Sequence, residues 1–414
     1  MGKHIIEEAK RCIQCKKPRC KAGCPVNTPV NEVIKMLLDG DIAKAGETLF
    51  ENNPLSVVCS LVCPHDTQCE GSCVLASIGN SIHISSIENY ISSYYLNIKR
   101  NKPEKNPDKK VAIIGSGPAG ITIAFVLAKK GYDITIFEAN DKIGGVLRYG
   151  IPEFRLPKKN LERIKEKLIE LGVKIRPNTL IGSTISIDDL FRDGFKAVFI
   201  GTGVWRPFPL RIKGETLGHV HYSIDYLKNP EVYNLGDKVC IIGAGNVAMD
   251  VARTAIRNGT REAYIMYRRG FDEIPASKHE VEYAKIDGVK FELNKSPLEI
   301  LDEGVKYICT EKIIDENGEK TLVEIKGSED IFKVDSVIIS ISQGPRSVIV
   351  SNTKGIEINN KGLLTIDEIG QTTREGVFAS GDVVTGAKTV VEAVRLSKKV
   401  ADSIDKYVTE KYEI

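Results

Sequence analysis

The cysteines are the residues whose type and spacing most directly indicate chemistry. The chain has 414 residues and ten cysteines, and eight of them lie between Cys12 and Cys73. They form two groups, Cys12-x2-Cys15-x4-Cys20-x3-Cys24 and Cys59-x3-Cys63-x5-Cys69-x3-Cys73. Because no secretory-signal pattern follows Met1, clustered cysteines are expected to be metal ligands rather than disulfides. The sequence therefore predicts a soluble, cytoplasmic metalloprotein with its metal in the N-terminal fifth of the chain.

Two kinds of metal centre can use these thiolates. Eight thiolates could form two tetrahedral zinc sites, which is the alternative interpretation. The spacings are not those of paired C-x2-C zinc knuckles, however, and Pro25 and Pro64 directly follow Cys24 and Cys63. A proline after a ligating cysteine is a feature of bacterial ferredoxin sequences. The pattern thus favours iron–sulfur clusters over zinc.

A glycine-rich turn after the first apolar strand predicts a dinucleotide site. The turn is Gly115-Ser116-Gly117-Pro118-Ala119-Gly120, which follows the strand-like VAIIG and precedes a helix-like segment. The first glycine permits the tight turn, the second lets the backbone approach a pyrophosphate, and the third lets the helix pack on the strand. Glu138 ends the next strand, 18 residues after Gly120, where a carboxylate accepts hydrogen bonds from ribose hydroxyls.

The same strand–turn–helix unit recurs in the middle of the chain. Its turn is Gly243-Ala244-Gly245-Asn246-Val247-Ala248, and its second strand ends in Tyr267-Arg268-Arg269 instead of an acid. Two guanidinium groups at that place suit the 2′-phosphate of NADP(H), whereas the alternative is an ordinary solvated strand end. The sequence therefore predicts a second nucleotide site that selects NADP(H).

Two further stretches complete a resemblance to a known fold family. GGVLRYGIPEFRLPK (144–158) and a C-terminal FASGD, together with the two glycine-rich turns, resemble the two-dinucleotide-binding flavoprotein fold. That resemblance implies that the first turn and the Gly-Asp segment hold FAD, and that the mid-chain unit is an inserted NAD(P)H domain. It also implies further FAD-binding residues, namely Gly145, Val146, Arg148, Gly381, Asp382, Thr389 and Val390.

The cysteine pattern in front of this fold resembles the small-subunit family of NADPH-dependent glutamate synthase. The same module forms the N-terminal part of dihydropyrimidine dehydrogenase and the large subunit of NADH-dependent ferredoxin:NADP oxidoreductase. The resemblance implies two [4Fe–4S] clusters with interleaved ligands. One cluster would take Cys12, Cys15, Cys20 and Cys73, and the other Cys24, Cys63, Cys69 and Glu88. Cys59 matches a position that is not a ligand.

The helices and strands predicted around these residues indicate an α/β fold preceded by a helical N-terminal part. We expect a helical domain with two [4Fe–4S] clusters over 1–98, a linker over 99–110, an FAD domain over 111–228 and 341–414, and an NAD(P)H domain over 229–340. Lys+Arg 58 against Asp+Glu 55 gives a net charge of +3, which argues against a nucleic-acid partner. No apolar run approaches the ~18 residues of a membrane span, so no membrane partner is expected.

The expected function is electron input, with FAD rather than a side chain as the catalytic group. NADPH would give a hydride to FAD, and the clusters would pass electrons to a partner, most directly a glutamate synthase large subunit. Two alternatives keep the chemistry and change the partner: a dihydropyrimidine dehydrogenase or a bifurcating ferredoxin:NADP oxidoreductase. A third, from another class, is a zinc-stapled interaction protein that senses redox state. No C-x-x-C pair occurs after Cys73, so disulfide reduction is not expected.

Overall fold

The computed structural model describes residues 2–99, 102–314 and 320–414. Residue 1 of the predicted cluster domain, residues 100 and 101 of the predicted linker and residues 315–319 of the predicted NAD(P)H domain lie outside the described residues. In the part of the chain that is described, no helix is both long and apolar enough to cross a membrane.

The described α-helices are numbered in chain order. They are α1 (Gly2–Lys10), α2 (Arg19–Gly23), α3 (Val30–Leu38), α4 (Ile42–Asn52), α5 (Ser56–Val62), α6 (Ile84–Tyr95), α7 (Pro118–Lys129), α8 (Val146–Tyr149), α9 (Lys159–Glu170), α10 (Ile187–Arg192), α11 (Ser223–Lys228), α12 (Asn246–Arg257), α13 (Lys278–Ile286), α14 (Val348–Ser351), α15 (Asp382–Thr385) and α16 (Val390–Tyr412). Short 3-10 helices occupy Val74–Ile78, Pro230–Val232 and Phe271–Glu273.

The described strands are numbered in the same way. They are β1 (Asn106–Ile114), β2 (Tyr132–Phe137), β3 (Lys174–Arg176), β4 (Ala197–Ile200), β5 (Arg206–Pro207), β6 (Val220–Tyr222), β7 (Lys238–Ile242), β8 (Glu262–Tyr267), β9 (Lys290–Leu293), β10 (Lys295–Leu301), β11 (Gly304–Ile314), β12 (Lys320–Glu324), β13 (Asp330–Lys333), β14 (Ser336–Ile339), β15 (Gln343–Gly344) and β16 (Val377–Ala379).

The chain divides into two compact units. The first contains Met1–Arg148, Glu153–Val204 and Gly344–Ile414, and the second contains Tyr149–Pro152 and Trp205–Gln343. The second unit begins before the predicted boundary at 229, because β6 pairs in parallel with β14 and so belongs to its sheet. β1 begins inside the predicted linker, because the backbone N–H of Asn106 already donates to the carbonyl of Gly131.

The first unit is built on a 5-stranded sheet in the order β16-β4-β1-β2-β3. All of its strand pairs are parallel. β4, β16 and residues 111–114 of β1 are buried and apolar, which is typical of a parallel sheet covered on both faces. β1 lies between β2 and β4, so the turn after β1 is at the place where the strand order reverses. That place is the usual ligand crevice of an open α/β sheet.

Helices α1, α3, α4 and α6 form an apolar cluster in the same unit. Val33, Ile34 and Leu37 of α3 pack with Leu49 of α4 and with the isoleucines of α6. Asp39-Gly40-Asp41 separates α3 from α4, because Gly40 has φ +86° and the Asp41 carboxylate accepts the N–H of Lys44 at 3.0 Å. Cysteines 12, 20 and 73 pack against this cluster, which therefore supports the thiol sites directly.

The second unit repeats the parallel arrangement. Its 5-stranded sheet has the order β6-β14-β7-β8-β9, with every pair parallel, and β7 lies between β8 and β14. A separate antiparallel sheet contains β10, β11, β12 and β13. The predicted α/β class with two Rossmann-like sheets behind a helical cysteine-bearing region is confirmed.

Candidate functional site

The turn after β1 has the geometry that its glycines predict. Gly115 has φ +96°, and a Cβ there would lie 2.7 Å from the carbonyl oxygen of Gly201. A Cβ on Gly120 would lie 2.0 Å from the carbonyl oxygen of Gly115, so α7 packs on β1 through this contact. At Gly117 the nearest atom to an added Cβ is 4.0 Å away. The second glycine therefore faces open space, which fits a phosphate approaching the N-terminus of α7.

Glu138 lies beside this turn and is buried. One carboxylate oxygen accepts the backbone N–H of Ser116 at 3.0 Å and its hydroxyl at 2.5 Å. The other accepts the backbone N–H and the side-chain amide of Asn140, both at 2.8 Å. These four bonds fix the orientation of Glu138 and occupy the roughly four acceptor positions of an ionised carboxylate. A ribose hydroxyl that donates to Glu138 would therefore have to replace one of the bonds from Ser116 or Asn140.

The C-terminal Gly-Asp segment lies against the same turn. A Cβ on Gly381 would lie 3.0 Å from the Cβ of Ala119, although 262 positions separate the two in sequence. Asp382 accepts the backbone N–H of Lys388 at 3.2 Å, and burial raises the pKa of its carboxyl to about 6. α16 begins after Thr389, whose hydroxyl accepts the N–H of Glu392 at 3.4 Å, and Val390 is its first residue.

The segment at 144–148 also meets the first turn. A Cβ on Gly145 would lie 2.8 Å from the Cα of Gly117, and the N–H of Gly144 donates to the carbonyl of Ser116 at 3.0 Å. Val146 is half-buried at the start of α8. Arg148 donates to the carbonyl of Ile143 at 2.7 Å and pairs with Glu162 at 2.5 Å. Three stretches distant in sequence are thus brought together.

The second glycine-rich turn, in the other unit, follows β7 in the same way. Gly243 has φ +127°, and a Cβ there would lie 2.2 Å from the carbonyl oxygen of Ser340. An added Cβ on Gly245 would meet nothing within 4 Å, so this glycine also faces open space. Asn246 accepts the backbone N–H of Ser277 at 2.9 Å, and the neighbouring Val247 is exposed.

Arg268 and Arg269 directly follow β8, and both are exposed. Arg269 lies 3.7 Å from the carboxylate of Glu273, a loose pair on an exposed surface. The carbonyl of Arg268 accepts the hydroxyl of Thr310 at 2.7 Å, which fixes the backbone at the strand end. The two guanidinium groups are therefore available to an anion.

Four of the cysteines line one cavity. Cys12, Cys15, Cys20 and Cys73 surround it together with apolar residues that include Ile34. Burial and the neighbouring thiols raise the pKa of Cys12 and raise that of Cys20 to about 11. These half-buried thiols are therefore protonated until a metal displaces the proton. These are the four ligands that the family resemblance implies for one cluster.

The remaining predicted ligands form a second group. The hydrogen bond with Cys59 and burial raise the pKa of the Cys63 thiol, and the nearby Glu88 carboxyl adds to this effect. Burial, followed by the nearby carboxyls of Glu88 and Glu70 and then by Cys24, raises the pKa of the Cys69 thiol. Burial, and then Glu70, raises the pKa of Glu88 to about 8. Glu88 lies on α6 and is half-buried. Its carboxyl is close enough to Cys63 and Cys69 to affect the pKa of both thiols.

Cys59 also belongs to this second group. It is buried in α5, one turn before Cys63, and its thiol is hydrogen-bonded to the thiol of Cys63. In the described part of the chain, no three His, Cys, Asp or Glu side chains converge tightly enough to hold a single metal ion. The four thiols of the first group line one cavity, and four is the number of cysteine ligands of a [4Fe–4S] cluster.

Sequence reasoning missed the residues that hold the predicted ones in place. Ser116 and Asn140 orient Glu138, and Gly201 closes the first turn. Ser116 lies inside the glycine-rich turn and Asn140 follows Glu138 by two residues, so local spacing could have identified both. Gly201 directly follows β4, and only the strand order shows that it lies beside Gly115.

Two protein families match the chain. "Pyridine nucleotide-disulphide oxidoreductase" matches residues 109–396, and "Dihydropyrimidine dehydrogenase domain II, 4Fe-4S cluster" matches residues 1–100. The chain belongs to the pyridine nucleotide-disulphide oxidoreductase family. The second match confirms the prediction of iron–sulfur over zinc in the N-terminal region.

Two curated relatives specify the branch of the family. The glutamate synthase [NADPH] small chain of Halomonas elongata is 35% identical over 97% of this chain and 90% of that protein. The protein of the same name from Escherichia coli K12 is 33% identical over 96% of this chain and 90% of its own length. The chain is therefore an NADPH-dependent iron–sulfur flavoprotein oxidoreductase of the glutamate synthase small-subunit type, as the sequence predicted.

A solved structure supports the fold. Mycobacterium tuberculosis FprA in complex with NADPH superposes with a TM-score of 0.63, at 17% identity, over 74% of this chain and 86% of that chain. The likeness shows that the two share the two-sheet flavoprotein architecture. The family and the fold together support FAD, NADPH and an iron–sulfur centre as the groups that this chain uses.

Proposed function

We propose that this chain oxidises NADPH at FAD and delivers the electrons, through two [4Fe–4S] clusters, to the large subunit of a glutamate synthase. The observation that carries the proposal is the grouping of cysteines in the first unit. Four thiols line one cavity, and three more cysteines with Glu88 form a neighbouring group. FAD, when bound, converts the two-electron chemistry of a hydride into single electrons that clusters can carry.

The residues of the first unit bind and orient FAD in this proposal. The open space at Gly117 and the N-terminus of α7 receive the pyrophosphate, and Glu138 receives the adenosine ribose. Asp382 holds the ribityl–pyrophosphate region of FAD. The residues that lie near the flavin ring are Gly145, Val146, Arg148, Thr389 and Val390. Because Arg148 is paired with Glu162, it serves as an anchored donor rather than a free cation.

NADPH is bound by the second unit. Gly243, Gly245, Asn246 and Val247 form the turn at the N-terminus of α12, where the open side of Gly245 suits the pyrophosphate. Arg268 and Arg269 receive the 2′-phosphate. No side chain of this chain needs to act as a nucleophile or general base, because the hydride passes directly between the two cofactors.

The relatives named as glutamate synthase small chains support the choice of partner, since this chain spans 90% of their length. A second candidate keeps the same chemistry with a pyrimidine-reducing partner. It is favoured by the match of residues 1–100 to a domain named for dihydropyrimidine dehydrogenase. The two candidates differ only in the acceptor to which the clusters deliver electrons.

The test uses the purified full chain, alone and with a large subunit. We expect a visible spectrum with flavin bands and a broad shoulder near ~400 nm, both bleached by NADPH without oxygen. Addition of a glutamate synthase large subunit with glutamine and 2-oxoglutarate should then yield glutamate at the expense of NADPH. A colourless, zinc-containing protein would contradict the proposal. Bleaching without glutamate formation, but with uracil reduction by an added pyrimidine-reducing subunit, would favour the second candidate.

A further inference from the structure

The cavity of the first cysteine group reaches the protein surface. Ile13 lines that cavity beside Cys12 and Cys15, and its side chain is 59% exposed. Pro18 and Arg19 line it from the loop that connects Cys15 to Cys20. A redox centre held by these thiols would therefore be separated from solvent by a single layer of side chains.

The same loop carries positive charge that the rest of the described chain leaves unneutralised. Lys16, Lys17 and Arg19 are exposed, and no carboxylate among the described residues forms an ion pair with them. The acidic side chains nearby in sequence are engaged elsewhere. Glu7 pairs with Lys10 at 2.8 Å, Glu8 with Arg11 at 2.6 Å, and Glu32 with Lys21 at 3.7 Å.

A second exposed apolar side chain comes from the 3-10 helix after Cys73. Ile78 is 73% exposed, and Val74 and Leu75 of the same helix line the cavity. The loop that follows is tied to the residue before Cys12, because the Arg11 guanidinium donates at 2.6 Å to both the carbonyl and the side chain of Asn80. Apolar residues surrounded by charged ones are the usual composition of a protein–protein contact.

We infer that these five residues, Ile13, Lys16, Lys17, Arg19 and Ile78, form an exit patch that docks an acidic redox protein. The inference rests on the proposed function, since it assumes that electrons leave from the first cysteine group. Three exposed cations close in sequence to the exposed Ile13 attract an acidic surface at long range and fix its register at contact. A small set of three cations above a redox centre suits a protein acceptor better than the extended backbone of a nucleic acid.

The test uses two haem proteins of opposite charge as one-electron acceptors, acidic cytochrome b5 and basic cytochrome c. For each NADPH oxidised to NADP+ and a proton, two haem irons are reduced from ferric to ferrous. We expect the holoprotein to reduce cytochrome b5 with a second-order rate constant that falls steeply as salt is added. Isothermal titration of the resting protein with oxidised cytochrome b5 should show the same salt dependence without turnover.

The variants separate local charge from net charge. Lys16→Glu, Lys17→Glu and Arg19→Glu together should lower the cytochrome b5 rate constant about tenfold and raise that for cytochrome c. The matched control changes three exposed lysines elsewhere, Lys326→Glu, Lys354→Glu and Lys361→Glu, and should leave both rates within about twofold. Because Ile78 lies outside the segment between Cys15 and Cys20, Ile78→Glu tests the patch even if the triple variant loses iron.

The outcomes are distinct. An unchanged cytochrome b5 rate and affinity in the triple variant and in Ile78→Glu, or an equal loss in the control, would overturn the inference. Salt-sensitive binding of a short DNA duplex that the triple variant loses, with unchanged cytochrome rates, would assign the patch to nucleic acid instead. If NADPH fails to bleach the flavin of the unmodified protein, it is the proposed function that fails.

Discussion

Cys59 and Cys63, which lie one helical turn apart, have different expected roles. Cys20 lines the first cavity, and Cys63 lies with Cys69 and Glu88, whereas Cys59 is buried in α5 and hydrogen-bonded to Cys63. We predict that Cys20→Ser and Cys63→Ser each lose one cluster, because removal of a thiolate ligand opens a coordination site. Cys59→Ser should keep its full iron content. Iron and sulfide analysis checks this, and loss of a cluster's iron from Cys59→Ser would contradict the interleaved assignment.

Glu88 is the predicted non-cysteine ligand. Its carboxyl lies close to the thiols of Cys63 and Cys69, and burial raises its own pKa to about 8. We predict that Glu88→Ala leaves hydride transfer from NADPH to the flavin unchanged, slows delivery to the partner and makes one iron of this cluster easier to lose. Glu88→Gln, which keeps a ligating oxygen, is the matched control. Stopped-flow flavin reduction, partner turnover and iron content all unchanged in Glu88→Ala would show that Glu88 is not a ligand.

The carboxyl of Asp382 makes the stability of the FAD-free protein depend on pH. Burial raises the pKa of its carboxyl from 3.8 to about 6 in the folded state. The folded protein then binds more protons than the unfolded chain between these values, so stability is lost as the pH rises towards about 6. We predict that the free energy of unfolding falls by about 1 kcal/mol more in the FAD-free protein than in Asp382→Asn between about pH 5 and pH 7. Identical pH profiles of thermal unfolding for the two proteins would rule this out.

At the scale of elements, each strand–turn–helix unit was predictable because its signals are local. The turn glycines, the strand before them and the helix after them lie within a few residues, and β1, α7, β7 and α12 form accordingly. The contact between Gly381 and Ala119 was not predictable from local pattern, because the strand order of the whole sheet creates it. Only the family resemblance anticipated that the Gly-Asp segment would reach the first turn.

The end of β8 gives the test of cofactor selection. Arg268 and Arg269 are exposed, and each contact with a 2′-phosphate would contribute roughly 1.5–3 kcal/mol. We predict that Arg268→Ala with Arg269→Ala raises the KM for NADPH many-fold and leaves that for NADH nearly unchanged. Steady-state flavin reduction with both nucleotides provides the measurement. An equal loss with NADPH and NADH would mean that the pair supports the strand end instead of selecting the cofactor.

At the scale of the whole molecule, the cysteine-bearing helices and the sheet that contains β1 belong to one unit, and side-chain contacts join them. Glu51 at the end of α4 pairs with Lys129 of α7 at 2.7 Å, and Lys398 of α16 donates to the carbonyl of Asn52 at 2.7 Å. α5, which contains Cys59, packs against α16. This packing brings α16 next to the helix that contains Cys59 and directly precedes Cys63. Electron transfer between the second cysteine group and the FAD elements should therefore depend on the packing of these helices.

Phe50 tests that dependence. Its ring is buried in α4, 4.9 Å from Phe125 of α7 in an edge-on contact and 5.0 Å from Tyr95 of α6. We predict that Phe50→Ala costs about 3 kcal/mol of stability, because it leaves a cavity between the two sets of helices. Flavin reduction by NADPH should keep its rate, whereas the later reduction of the clusters should slow, and stopped-flow absorbance at the flavin and cluster bands separates the two steps. Phe271→Ala, at an exposed phenylalanine of the other unit, is the control and should alter neither step. Equal cluster reduction in Phe50→Ala and the unmodified protein would show that electron transfer is insensitive to this contact.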